Sequence, residues 1–404
     1  MSLTIKSFIS SDGERFSQIY DVETGGFPLF YATAYIARSV RPKSTHETQK
    51  VHLETIKRIY EWEARERINL VIRFQQHQFL LPAEIDSLAQ HLGARRRGSK
   101  GEVISRGKYN TYVAYAADYL RWLADEVITE ANITQIRTAI DRQHESLVAK
   151  VARKRGSTSA REQNIIAVRL PEDARIDLQG LFEDPLQGVM RHGDKGPRLR
   201  NTVMLRILYE TGMRRGELLS LKLGSFRESS GGEGAFLHIE RNHHDEFDSR
   251  VRQPVAKTLG RIVPISADAE RQLIDYRDEW RAEIPGVGFS DQDFLFVNHR
   301  AGPPQGKPVT ETAFNSALSN LKQTFPALVP LHPHLLRHDW NYRFSQQVDA
   351  EGLDFETERE TREQLMGWKP NSSMSLLYNQ RHIQERANQI GRKIASDTEK
   401  RRYK

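Results

Sequence analysis

Thr211-Gly212-Met213-Arg214-Arg215-Gly216-Glu217-Leu218 joins the end of one helix to the start of another. Val203, Met204, Ile207 and Leu208 recur at helical spacing up to Thr211, and Gly212 can take the left-handed cap without strain. Arg214 therefore stands at the mouth of the next helix. Glu217 lies a turn further on, and Leu218, Leu219 and Leu221 face inward. A guanidinium held at a helix start is a fixed cation, and the chain downstream adds more such groups in a set order.

Phe236-Leu237-His238-Ile239 alternates as a strand does. The run Val255 to Ile265 predicts a hairpin folded near Leu259-Gly260, with Lys257 on its first arm and Pro264 placing its second arm at a sheet edge. Helices follow from Ser266, from Thr310 and through His334 to Phe344, and a charged helix runs from Arg381 to the basic end Lys400-Arg401-Arg402-Tyr403-Lys404. His334 and Arg337 lie one helical turn apart and so share a face. Beyond them come Trp368, in Leu365-Met366-Gly367-Trp368, and Tyr378, in Met374-Ser375-Leu376-Leu377-Tyr378.

Upstream, residues 1–27 are polar and Gly-containing and read as an N-terminal arm or extension. Residues 28–152 are helical in pattern. Thr45 can cap a helix carrying Leu53, Ile56 and Ile59, Pro82 suits the first turn of another, and Tyr112, Val113, Ala116, Leu120 and Leu123 line a third; a fourth runs from about Ile133. Within this half, Arg95, Arg96, Arg97 and Lys100 sit in a Gly-rich loop. Such runs are usually solvated connectors; phosphate contact is the functional alternative. Arg153, Lys154 and Arg155 open a basic, Ser-rich linker, 153–175, ahead of a mixed helix and strand region, 176–404. The expected fold is mostly α with a small antiparallel sheet, in two domains.

The 404 residues carry a formal charge of +7, which favours a polyanionic partner but is shared by many ordinary enzymes. No cysteine is present, so disulfides, thiolate nucleophiles and Cys-based metal sites are excluded. The N-terminus lacks the apolar segment of a signal peptide, and no run is long enough to span a bilayer. The expectation is a soluble cytoplasmic protein of bacterial type, nucleoid-associated when active.

A tyrosine can cut a phosphodiester without metal if cations stabilise the charge that grows on the non-bridging oxygens. Arg214 and Arg337 supply forked donors that never deprotonate. His334 can orient the nucleophile or take its proton, Lys257 can protonate a departing 5′ oxygen, and Tyr378 can attack phosphorus. Taken singly, each is more often a surface or core residue. His332, His334 and His338 also raise the question of a metal, but no carboxylate pairing accompanies them and none is expected.

In this order the residues resemble the tyrosine recombinase family, the phage-type integrases. Thr211 to Leu218 is similar to its first arginine box, Lys257-Thr258 with Arg261-Ile262-Val263-Pro264-Ile265 to its hairpin lysine, and His334-Leu335-Leu336-Arg337-His338 to its His-x-Leu-Arg-His box. Leu365 to Trp368 and Tyr378 complete the series. The resemblance implies that Arg214, Lys257, His334, Arg337 and Trp368 surround the scissile phosphate, that Tyr378 bonds to the 3′ phosphate, and that Glu217 supports the arginines. It further implies a core-binding (SAM-like) DNA-binding domain over 28–152, a recombination site on double-stranded DNA, a homo-tetramer working through a Holliday junction, monomers in solution, and an accessory directionality or DNA-bending protein. No cofactor is implied, and integration or excision of a mobile element is the expected role. A type IB topoisomerase-like relaxing enzyme and a non-catalytic DNA-binding protein on the same fold remain as alternatives. Three features depart from the family pattern. Trp368 stands where His is commoner, the Trp368–Tyr378 interval is one residue longer than the family pattern, and Asp339-Trp340-Asn341 follows His338 where a small or hydroxyl residue is usual.

Overall fold

The computed structural model describes residues 2–23, 25–94, 103–152 and 169–400, except the side chains of 376, 380, 381 and 397–400. The chain divides into two compact units, Met1–Arg155 and Gly156–Lys404.

The first unit opens on an antiparallel hairpin, β1 (Leu3–Ile9) and β2 (Arg15–Asp21), with Ile5 opposite Ile19. Residues 1–27 are thus more than an arm, because Ile19 is fully buried in the same core as the helices. Six helices follow: α1 (Phe30–Tyr35), α2 (His46–Glu66), α3 (Leu70–Gln75), α4 (Pro82–Gly93), α5 (Arg106–Val127) and α6 (Thr134–Val148). Helix α2 starts after Thr45 and α4 has Pro82 in its first turn, where proline's missing N–H costs nothing. The periodic residues Leu53, Ile56 and Ile59 of α2 meet Tyr112, Val113 and Leu120 of α5 in one core around Trp62.

The second unit has its own core, which already contains Leu170 and Ala174. Its helices are α7 (Glu172–Glu183), α8 (His192–Thr211), α9 (Arg215–Leu219), α10 (Ala267–Asp275), α11 (Glu311–Thr324), α12 (Pro333–Glu351), α13 (Phe355–Met366) and α14 (Met374–Lys400). A three-stranded antiparallel sheet runs in the order β3 (Phe226–Arg227), β4 (Phe236–Ile239), β5 (Arg261–Pro264). Pro264 lies on an edge strand, where its missing donor is tolerated. The expected tight hairpin at Leu259-Gly260 is not formed. Strand β5 pairs with β4, Leu237 opposite Val263, and residues 240–260 make the connection without a strand of their own. The first arm has the composition of a strand, but β4 supplies the partner that β5 needs.

Helix α8 ends at Gly212, whose φ of 62° lies in the left-handed region. A Cβ there would come within 2.8 Å of the Trp340 ring on α12. The three residues that depart from the family pattern are each used. Trp340 donates from its indole to Glu210 O at 2.8 Å, Asp339 accepts from Arg343 at 2.9 Å, and Asn341 donates to Arg337 O at 2.9 Å. Together with Arg343, which donates to Tyr209 O at 2.6 Å, Trp340 and Asp339 fasten α12 to the end of α8. Gly212→Ala is expected to lower the stability of the second unit by at least about 1–2 kcal/mol, the cost of a Cβ in the left-handed region, before the clash with Trp340 is added. The urea midpoint of that unit's unfolding measures it.

Candidate active site

The site is built where α9, the β4–β5 connection, α12 and the start of α14 come together in the second unit. Arg214 is the cap residue of α9, and its backbone N–H donates to Glu217 Oε2 at 2.9 Å. Its Nη1 lies 3.4 Å from Glu217 Oε1, and the guanidinium stays partly exposed. The next arginine is already paired: Arg215 meets Glu311 and Asn315 on α11 at 3.0 and 2.9 Å. Gly216 makes room for the chain behind it: a Cβ there would meet Val255 O at 2.9 Å, so the connection carrying Lys257 passes close against α9.

Glu217 is fully buried and accepts from three further groups besides that backbone N–H: Thr258 Oγ1 at 2.7 Å, Arg261 Nη2 at 2.8 Å and the more distant Arg214 Nη1. Burial by itself would raise its pKa. The charge and hydrogen bond of Arg261, the charge of Arg337 and the Arg214 N–H outweigh it and hold the carboxyl at about 2.

Arg337 is 1% exposed and donates through Nη1 to Gly212 O at 2.7 Å. Its Nε and Nη2 have no acceptor among the described residues, and the same holds for the buried Trp368 Nε1. Burial first, and then the neighbouring Arg214, bring the Arg337 pKa down to about 10. The guanidinium lies 5.5 Å from the Trp368 ring centre and 5.3 Å from that of Tyr378.

Tyr378 is 3% exposed, stacked on Trp368 at 5.3 Å, with its hydroxyl 3.5 Å from His334 Nε2. His334 is kept below the usual histidine range by burial and by the charges of Arg337, His332 and Arg214, so its imidazole is neutral at pH 7 and can accept a proton. The structure thus brings Arg214, His334, Arg337, Trp368 and Tyr378 together, with Arg214, His334 and Arg337 lining a cleft of about 360 Å³. Lys257 is exposed on the connection beside them. The loop cations Arg95, Arg96, Arg97, Lys100, Arg153, Lys154 and Arg155 lie outside the described residues.

Several contributors were not visible in sequence. His338 packs its ring 4.6 Å from Tyr378 and 4.7 Å from His334, and burial pushes it down to about 4. Arg261, on the sequence pattern merely a strand residue, donates to Glu217, to Thr258 and to Leu365 O. Behind Tyr378, Asn379 Oδ1 accepts from Ser345 at 2.8 Å, and Ser345 in turn accepts from the buried Arg362 at 2.6 Å. Between Trp368 and Tyr378 the chain turns at Asn371, which has a φ of 60°, while Glu363 accepts from the N–H groups of Asn371 and Ser372. His332 is a helix cap, accepting from Leu335 N–H at 3.1 Å, and lines the same cleft.

Residues 183–380, which contain all these groups, match the phage integrase family. This stretch is a domain of that family, the tyrosine recombinases. Among its relatives, it is 27% identical to tyrosine recombinase XerC of Bacillus pumilus over 203 residues, half of this chain and 58% of the relative. It is also 27% identical to tyrosine recombinase XerD of Halalkalibacterium halodurans over 223 residues, 55% of this chain and 64% of the relative. The match therefore spans about three-fifths of the length of these curated relatives. A crystal structure of the XerH site-specific recombinase bound to palindromic difH substrate, a post-cleavage complex, shares the fold. Its TM-score is 0.50 at 15% identity, covering 85% of this chain and 79% of that one.

Glu217→Gln is expected to destabilise the second unit by about 3–5 kcal/mol, because it leaves buried Arg261 without its counter-charge. The sign with pH follows from the depressed carboxyl. Its contribution is present above the unfolded value of 4.5 and is lost as pH falls towards about 2. Urea unfolding along that interval should show a shallower acid limb in the variant than in the wild type.

Proposed function

We propose that the chain is a site-specific recombinase that cuts and rejoins double-stranded DNA through a 3′-phosphotyrosine at Tyr378. The observation that carries the reading is the set of buried donors without acceptors, Arg337 Nε and Nη2 and Trp368 Nε1, packed against a tyrosine whose hydroxyl meets a neutral histidine. A phosphodiester supplies what that set lacks. Its non-bridging oxygens accept from Arg337, Arg214 and the Trp368 indole, and these donors hold the added charge as phosphorus becomes five-coordinate.

The Tyr378 oxygen then forms the new bond to phosphorus while the bond to the 5′ oxygen breaks. His334 takes the phenol proton and Lys257 gives one to the leaving oxygen. Rejoining runs the same steps backward from a 5′ hydroxyl, so the bond is conserved and no nucleotide is consumed. Glu217 holds the arginines and does not touch the reacting atoms. The relatives' names and the DNA-bound XerH complex support extending the reading from cleavage to strand exchange. The chain would then act as a tetramer through a Holliday junction, with the first unit completing the grip on DNA, in the integration or excision of a mobile element.

Covalent trapping tests this. The wild type should give a protein–DNA band on a denaturing gel with nicked duplex from the ends of the host element, and Tyr378→Phe should bind that DNA equally but give none. An adduct formed by the Phe variant would remove Tyr378 from the reading. Relaxation of supercoiled plasmid without paired sites would turn it towards a topoisomerase.

A further inference from the structure

Lys257 presents a physical problem. A lysine ammonium rides on a four-carbon stem, and among the described residues no hydrogen bond or ion pair holds this one. A proton donor must nevertheless reach the leaving oxygen at a defined moment, so its Cα has to be fixed even where its side chain is free. The segment around it belongs to a connection without regular structure.

We propose that Arg261 is the positioning residue that sets Lys257 for proton donation, acting through Thr258. The proposal rests on the reading of Lys257 as the general acid. The Arg261 side chain is 1% exposed, and its fork is used in full by three separate stretches of chain. Nη1 donates to Thr258 Oγ1 at 3.1 Å, Nη2 to Glu217 at 2.8 Å and Nε to Leu365 O at 2.7 Å. The Thr258 hydroxyl in turn donates a hydrogen bond to Glu217 at 2.7 Å, so the residue adjoining Lys257 is held from two directions by buried charged groups. One position further, Leu259 N–H donates to Gly367 O at 2.9 Å. The approach is close: a Cβ at Gly367 would lie 2.7 Å from Leu259 O and 2.9 Å from Arg261 Nη1. Lys257 therefore leaves the surface from a clamped backbone. The clamp refers its position to α9, which carries Arg214, and to the turn that carries Trp368. No other side chain among the described residues joins these three stretches, and lysine, with one ammonium, could not replace the fork.

The step affected is departure of the 5′ oxygen. As the Tyr378–phosphorus bond forms, the phosphorus–O5′ bond breaks and O5′ takes the Lys257 proton. With sulfur at the bridging 5′ position the phosphorus–sulfur bond breaks instead, and the thiolate leaves without a proton. A defect confined to Lys257 placement must vanish on such DNA, whereas one that loosens Arg214 or the fold must remain.

The experiment measures cleavage by full-length wild type, Arg261→Gln, Thr258→Val and Lys257→Ala on the nicked duplex that gives the wild-type adduct, with either oxygen or sulfur at the scissile 5′ position. On oxygen DNA the Arg261 and Thr258 variants should lose roughly 10²-fold in rate, as expected for a displaced general acid. On sulfur DNA both should return to the wild-type rate, as Lys257→Ala does. A deficit that persists on sulfur DNA while Lys257→Ala recovers overturns the positioning role and leaves the acid assignment intact. Failure of Lys257→Ala to recover overturns the acid assignment, and the proposal with it. If Arg261→Gln loses DNA binding through misfolding, Thr258→Val, which removes one hydroxyl and keeps the shape, decides alone.

Discussion

One buried carboxylate stands against three guanidinium groups. Glu217 directly meets Arg261 and, at longer range, Arg214, and it lies close enough to Arg337 for the two charges to shift each other. Desolvating an ion costs several kcal/mol, so each of these groups is tolerable only while the others are in place. That mutual dependence ties α9 to β5, β5 to the end of α13, and α12 through Arg337 to the cap of α8. The balance stays incomplete, because one negative charge does not neutralise three positive ones. The strain falls on Arg337, more deeply buried than Arg214, the other of the three that lines the cleft, and its pKa is drawn down. An anion accepting from its Nε and Nη2, which have no acceptor among the described residues, would relieve the same imbalance. On the proposed reading, folding of this unit and binding of a phosphate would then be linked, each favouring the other.

The parts of the site that were legible in sequence are those where local rules and chemistry coincide. Gly212 announces a helix end, Arg214 and Glu217 a helix start, and His334 and Arg337 a shared face. Those readings need only a few neighbouring residues. Helix α13 escaped because its buried residues include Arg362 and Glu363, so no apolar stripe marks which side faces inward. Helix α12 buries Arg337, Asp339, Asn341 and Ser345 among its leucines, and its apolar pattern is blurred for the same reason. The hairpin at Leu259-Gly260 failed for a different cause. Strand composition is local, but the partner of β5 lies beyond a long connection, in β4. The role of Arg261 was hidden in the same way, since its three acceptors belong to segments far apart in the chain.

The attachment of the helix that carries Tyr378 shows what polar burial gives that apolar packing does not. Helix α14 meets α12 through Asn379 on Ser345, His382 on Asp349 at 2.9 Å, Arg386 on Asp349 at 2.8 Å, and Glu385 on Tyr342. The exposed pairs in this set contribute little net stability. Their value is directional, because a hydrogen bond is satisfied in one register and one rotation of the helix, whereas leucine against leucine accepts several. Tyr378 is set by that register, and its ring is then enclosed by Trp368, His338 and Arg337.

Trp368 narrows the route that protons can take. A histidine at that position could donate, accept or carry a proton; an indole donates one hydrogen bond and keeps its proton. With Trp368 stacked on the tyrosine, proton transfer in the proposed mechanism falls to the histidines in contact with Tyr378: His334, whose Nε2 faces the hydroxyl, and His338, which touches the same ring. Burial brings His338 down to about 4, which makes it a poor base near neutral pH. Its contact with both His334 and Tyr378 suits it to hold the pair in place. In the proposed mechanism the indole leaves Tyr378 with His334 as its base, and the leaving oxygen then depends on an acid brought in from the β4–β5 connection.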